Sequence, residues 1–144
     1  DWRLNLEAIA YLGDEAEARG ISLTVENMPP GASCMLVDVD EFLRMFRELG
    51  SSRVGVALDV GHANLVGEVE RFLDALANRI THLHLHDNLG DEDSHLGIER
   101  GGIGWDRVWS FLSEGFGGVA VVESIQDVVE SYLLARRRLK SKRG

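Results

Sequence analysis

Four short apolar runs are spaced along the chain: ISLTVE (Ile21–Glu26), VGVALDV (Val54–Val60), THLHLHD (Thr81–Asp87) and GVAVVES (Gly118–Ser124). Longer stretches of helical periodicity separate them. This alternation restricts the fold more than any other feature. Strands that follow one another through helices lie parallel in one sheet, with helices packed against it. Nearly unbroken apolar runs suit strands covered on both faces. The helical stretches carry their own signals. Leu4–Arg19 sets Leu6, Ile9, Ala10 and Ala16 at helical spacing and ends at Gly20. Asp38–Gly50 opens on a capping aspartate, aligns Phe42, Leu43, Phe46 and Leu49, and stops at a glycine. Glu68–Ile80 runs from helix toward strand, Trp105–Gly115 is helical, and Val128–Lys140 closes the pattern. The expectation is an α/β fold of about four β/α units, with residues 1–144 forming a single domain.

In parallel α/β architectures the site lies at the carboxyl ends of the strands. The first run ends in Glu26. The second ends in Asp59, with Gly61 and His62 just beyond. The third ends in His84, His86 and Asp87, and the fourth in Glu123. Each run therefore delivers a carboxylate or imidazole to the same edge. Side chains alternate along a strand, so His82, His84 and His86 share one face and Leu83 and Leu85 the other. A single histidine here would read as a core residue with local hydrogen bonds, and His82, deepest in its strand, is read that way. Four strand ends alike favour a site. Hard carboxylates mixed with imidazole suit one divalent cation such as Mn²⁺, Mg²⁺, Co²⁺ or Zn²⁺.

Charge narrows the partners. The formal net charge is −9, and the tail Arg136–Gly144 holds six of the 15 basic residues and no acid. Residues 1–135 thus carry −15. Such a body repels a phosphate backbone, so nucleic acid is not the expected partner. The basic 136–144 tail reads as helix-terminal cations that complement the helix dipole. Cys34 is the one cysteine, so no internal disulfide forms, and a cytoplasmic location is expected. No membrane span and no secretory signal are expected. A start at Asp1 rather than Met suggests a trimmed chain or a fragment.

The motifs Glu26-Asn27, Asp59-Val-Gly-His62, His84-Leu-His-Asp87, Asp93-Ser-His95, Ile103-Gly-Trp105 and Glu123 occur in that order. In this arrangement the chain resembles the xylose isomerase-like barrels. That family of (β/α)₈ barrels includes sugar-phosphate isomerases and epimerases and the type IV apurinic endonucleases. The resemblance runs over roughly residues 5–130 and matches the second half of the barrel, strands five to eight. A complete barrel needs about 200 residues or more. Four strands leave open edges, and three completions are open: a fragment of a longer protein, a complementary half-barrel from another chain, or a homo-oligomer in which two halves complete each other.

The resemblance implies roles. Glu26, Asp59, His84 and Glu123 would hold one divalent metal. Glu26 and Glu123 would be the catalytic acid and base, moving a proton beside a carbonyl through a metal-stabilised enediolate. His62, Asp93, His95 and Arg100 would bind substrate or a second metal, and His86 and Asp87 would stand behind the ligands or face substrate. The family's usual loop ending is a glycine, an acid, a glycine and an aromatic. Here Glu99-Arg-Gly-Gly-Ile-Gly-Trp105 departs from it, so detailed roles in this loop do not carry over. The function implied first is a sugar or sugar-phosphate isomerase/epimerase using Mn, Mg or Co. The second is a zinc-dependent apurinic endonuclease, disfavoured by the acidic body and by the absence of the histidines expected from the other half of the barrel. The third is a non-catalytic half-barrel that needs a partner chain.

Overall fold

The computed structural model describes residues 1–31, 33–50 and 54–141. Helix α1 spans Trp2–Ala18, capped by the Asp1 carboxylate, which accepts from the Arg3 amide. Strand β1 is Leu23–Glu26. Helix α2, Val39–Leu49, has Asp38 as N-cap, accepting from the Glu41 amide at 2.9 Å, and ends at Gly50 in the left-handed region, φ 60°. A glycine fits there because no Cβ opposes a positive φ. Strand β2 is Val54–Asp59. Helix α3, Val60–Leu65, follows with no intervening loop, and α4 is Val69–Ala75. Strand β3 is Ile80–Leu85, α5 is Trp105–Ser113, β4 is Val119–Val122 and α6 is Val128–Ser141.

The four strands pair in parallel in the order β1-β2-β3-β4. This is the α/β half-barrel that the alternating pattern implies. Helix α3 differs from the sequence reading, which carried the second strand through Val60. Asp59 turns the chain by accepting the His62 amide at 2.8 Å, the bond of an N-cap. A six-residue helix is too short to show periodicity in sequence. Ile21 and Ser22 also fall outside β1, because the Ile21 amide closes the end of α1 on the Ala16 carbonyl.

One face of the sheet is packed under helices. Leu83 and Leu85 of β3 lie there with Leu58, Phe42, Phe72 and Val108, all essentially inaccessible. Phe42 and Phe72 meet edge to face at 5.7 Å, an arrangement that contributes about 0.5–1.5 kcal/mol beyond burial. The other face is concave and carries the polar groups. In register across it stand His82 with Ala57 and Val119, and His84 with Asp59 and Val121. Val119 and Val121 are exposed on this face. Strands β1 and β4 each have one unpaired side among the described residues. No helix among these residues is long and apolar enough to cross a membrane. The tail's last three residues, 142–144, lie outside the described residues.

The loop between β3 and α5 is pinned by Asp87. Its backbone pairs with Leu96, and its buried carboxylate accepts from the Asn88 amide, the Ile103 amide and Trp105 Nε1 at 2.9, 3.2 and 2.7 Å. Gly101 sits so close that a Cβ there would lie 2.3 Å from Asp87 Oδ1. Trp105 is buried and stacks on Trp109, so it serves the core at the helix entry.

Candidate metal centre

Glu26 is the last residue of β1, Asp59 the last of β2, His84 lies in the final turn of pleat of β3, and Glu123 directly follows β4. Parallel pairing in register brings all four to one end of the sheet. They converge on a single imidazole nitrogen. His84 Nδ1 lies 3.0 Å from Glu26 Oε1, 3.5 Å from Glu123 Oε2 and 3.8 Å from Asp59 Oδ2. Glu26 and Glu123 come from the two outer strands and are partly open to the mouth, with about a third of each side chain exposed (37% and 32%). Asp59 is enclosed. Asp59, His84 and Glu123 each offer a donor atom within 4.8 Å of the others. Three carboxylates drawn around one imidazole fit a divalent cation: anionic oxygens at this spacing repel one another unless a positive charge stands between them.

Asp59 is the most constrained of the four. His86 Nε2 donates to its carboxylate, 2.8 Å from Oδ1 and 3.0 Å from Oδ2. Burial pushes the carboxyl pKa up. The hydrogen bond and charge of His86, the charge of His62 and the His62 amide together outweigh burial, and the pKa falls below the ordinary 3.8. For His86, burial pushes the imidazole down, and the Asp59 hydrogen bond and charge with the Asp93 charge reverse it, raising the pKa above 6.5. Asn27 locks β1 to β2 behind these groups: its Nδ2 donates to the Asp59 carbonyl at 2.9 Å and its Oδ1 accepts the Asp59 amide at 2.7 Å.

A second group gathers beside the first. His62, His86, Asp93 and His95 offer donor atoms within 4.8 Å of one another. The hydrogen bonds fix two tautomers. His62 Nδ1 is 2.8 Å from the Asn27 carbonyl, and His95 Nδ1 is 2.8 Å from the Glu123 carbonyl. A carbonyl only accepts, so each Nδ1 carries the proton. Each Nε2 meets Asp93 Oδ2, at 3.2 and 3.3 Å. Two imidazole nitrogens drawn onto one carboxylate oxygen form a second donor set of a type that holds a cation. The backbone of His95 is in the left-handed region, φ 46°, an uncommon conformation for a non-glycine residue, held here next to the site.

The structure thus brings together seven of the eight candidate residues. Arg100 is apart: 66% of its side chain is exposed, and its guanidinium is 3.9 Å from Asp127. Glu26, Asp59 and His62 form a third such donor group; His82 is in none of the three and packs edge to face with His84 at 6.1 Å. The groups that sequence reasoning left without a role are Asn27 and Asn88. Asn88 is buried, donates to the Gly61 carbonyl and accepts from Asn64 and Gly90. The one available signal was a run of polar residues, Asp87-Asn88, directly after an apolar strand.

Comparison with known proteins gives the family and the fold. The profile of the family described as Xylose isomerase-like TIM barrel matches residues 1–141. An uncharacterized protein of Methanocaldococcus jannaschii is 32% identical over 142 residues, covering 94% of this chain and 48% of its own length. Among solved structures, a D-tagatose 3-epimerase-like protein superposes with a TM-score of 0.87 at 30% identity, over 99% of this chain and 55% of that one. An L-ribulose 3-epimerase superposes at 0.82 with 18% identity, again over 99% and 55%. The IolI protein, solved with a bound zinc atom, superposes at 0.71 with 23% identity over 99% and 54%. The chain spans about half the length of the relatives it matches.

Proposed function

The chain belongs to the xylose isomerase-like TIM barrel family, and from that premise we propose that it is the metal-binding half of a sugar or sugar-phosphate isomerase or epimerase. The observation that carries this reading is the convergence of Glu26, Asp59 and Glu123 on His84 Nδ1 from four strand ends. The likeness to a D-tagatose 3-epimerase-like protein, at 30% identity, supports the same reading. Asp59 and His84, with Glu26 and Glu123, would hold one Mn²⁺, Mg²⁺ or Co²⁺ ion. When bound, such an ion polarises neighbouring carbonyl and hydroxyl oxygens and makes a proton on the adjoining carbon easier to remove.

The chain's own residues supply the proton transfer. Glu26 and Glu123 reach the mouth from opposite edges of the sheet, so one takes a proton from a substrate carbon and the other returns one from the other side. Asp59, buried and tied to His86, stays ionised and does not compete for that proton. His62 and the Asp93–His95 pair close the mouth on one flank and face substrate. The exposed valines of the concave face and the unpaired edges of β1 and β4 fit a complementary half-barrel, supplied by the rest of a longer polypeptide or by a second copy.

The zinc nuclease reading draws on one observation, the two imidazole Nε2 atoms that meet Asp93 Oδ2, which is a second place for a cation. The two readings separate by elemental analysis of protein purified without chelator or added metal. One Mn, Co or Mg per chain supports the isomerase. Two or three zinc per chain supports the nuclease, and no metal refutes the site. Incubation with ketoses in D₂O then checks the chemistry, since proton exchange at a carbon beside the carbonyl is the expected signature.

A further inference from the structure

His86 is fully enclosed beside the four proposed ligands, with 0% exposure. Its ring is fixed on every side. One face stacks on His95, with centroids 3.8 Å apart and planes 9° from parallel. Gly61 lies against the ring so closely that a Cβ would come 2.0 Å from Cε1. Nδ1 is buried with no hydrogen-bond partner, so the ring is not held by that nitrogen. What holds it in register is Nε2, bonded to Asp59. A carboxylate only accepts, so Nε2 carries the shared proton. His86 Nε2 spans the two carboxylate oxygens, 2.8 Å from Oδ1 and 3.0 Å from Oδ2, and the His62 amide adds a second donor at Oδ1 alone. Oδ2, with the one shared donor, keeps its other lone pair free and lies 3.8 Å from His84 Nδ1.

We propose that His86 is the positioning residue of the metal centre: its Nε2–H sets the plane of the Asp59 carboxylate so that Oδ2 is presented to a divalent cation. This inference rests on the metal-site reading above. Metal-binding side chains are commonly oriented by an outer hydrogen bond, and loss of that bond lowers affinity without removing a ligand. The stack on His95 extends the effect. His95 donates to the Glu123 carbonyl, so the 91–96 loop, the His86 ring and two of the four ligands form one packed unit.

Mn²⁺ binding by titration calorimetry tests the role in wild type, His86→Phe and His86→Gln. Phenylalanine keeps a flat ring for Gly61 and His95 and lacks the donor. Glutamine places an amide N–H near the position of Nε2. Affinity should fall roughly 10–100-fold in His86→Phe and recover most of the loss in His86→Gln. Thermal melts of the metal-free proteins separate this from a loss of fold. If His86→Phe does not fold, His86→Asn, whose shorter amide cannot reach Asp59, replaces it with the same expectation. Wild-type affinity in the donor-less variant overturns the role. So does the loss of a second equivalent of metal with the first unchanged, which would make His86 a ligand. No binding by the wild type overturns the metal site itself, a different failure read before any variant is compared.

Discussion

Gly61→Ala gives the sharpest test of the packing around Asp59. By helix propensity alone the change should stabilise, since alanine is favoured over glycine by about 1 kcal/mol inside a helix, and Gly61 lies in α3. The structure reverses the sign. The added Cβ would sit 2.0 Å from Cε1, 2.5 Å from Nε2 and 2.6 Å from Nδ1 of His86. Carbon atoms pack at about 3.5–4.0 Å, so the ring must retreat by roughly 1.5 Å. It has nowhere to go: the far side is the His95 ring at 3.8 Å, and His86 is fully buried. Overpacking of this kind costs about 1–3 kcal/mol. Displacing the ring also strips the buried Asp59 carboxylate of its Nε2 hydrogen bond, and breaking a buried pair costs about 3–5 kcal/mol at most. Partial relaxation and the propensity gain bring the net expectation to a loss of about 2–4 kcal/mol. Urea denaturation of the metal-free chain measures it. The same substitution in a His86→Ala background should cost nothing or stabilise, because the clashing ring is gone. A stable Gly61→Ala single variant, or an equal cost in both backgrounds, would refute the close approach of Gly61 and His86.

Three further outcomes follow from the same geometry. Glu123→Gln should abolish the proposed proton exchange and weaken metal binding while leaving the melting temperature of the metal-free protein within a few degrees, because Glu123 is part-exposed at the mouth; unchanged exchange would remove it from the site. His82→Ala should lower the melting temperature more than the metal affinity, since His82 belongs to none of the three donor groups; the reverse would make His82 a ligand. Glu99 ties the loop to α6: its carboxylate accepts from Arg138 at 2.9 and 3.0 Å and from Trp109 Nε1 at 2.9 Å. The Arg138 hydrogen bonds, against burial and helped by Trp109, hold its pKa below the ordinary 4.5. A depressed folded-state pKa contributes stability that is present above 4.5 and lost as pH falls through the folded value. Melts across about pH 3–7 should therefore show a shallower acid limb in Glu99→Gln than in wild type, and superimposable acid limbs would contradict the linkage.

The strand order and the polarity of the sheet were legible because both rest on local alternation. Leu83 and Leu85 against His82 and His84 is a period-two signal, and the structure keeps it: leucines under helices, histidines on the concave face. The placement of Glu26, Asp59, His84 and Glu123 at one edge followed from parallel strands alone. Helix α3 was not legible. Asp59-Val60-Gly61 continues an apolar run, and only the capping bond from the His62 amide to Asp59 shows that the strand has ended. His86 illustrates a second limit. Alternation put it on the face of His82 and His84, but β3 ends at Leu85, and past that point the side chain is set by contacts remote in sequence: Asp59, Gly61 and His95. Tautomers were out of reach for the same reason, since they depend on which carbonyl each ring meets.

In the proposed site Asp59 would do two jobs that usually fall to different residues. As N-cap of α3 its Oδ1 accepts an amide; as a proposed ligand its Oδ2 faces His84. A carboxylate rotating to serve one role would fail the other. The His86 bond removes that freedom, and Gly61 makes room for the His86 ring in the first turn of the same helix. The cap, the glycine and the histidine are therefore one solution to one constraint. The loop adds the last fixed point. His95 stacks on His86 and donates to the Glu123 carbonyl, so residues 91–96 touch the supports of two proposed ligands at once. Asp93 Oδ2 stands between His62 Nε2 and His95 Nε2, at 3.2 and 3.3 Å, so the loop is tied to α3 as well as to the His86 ring.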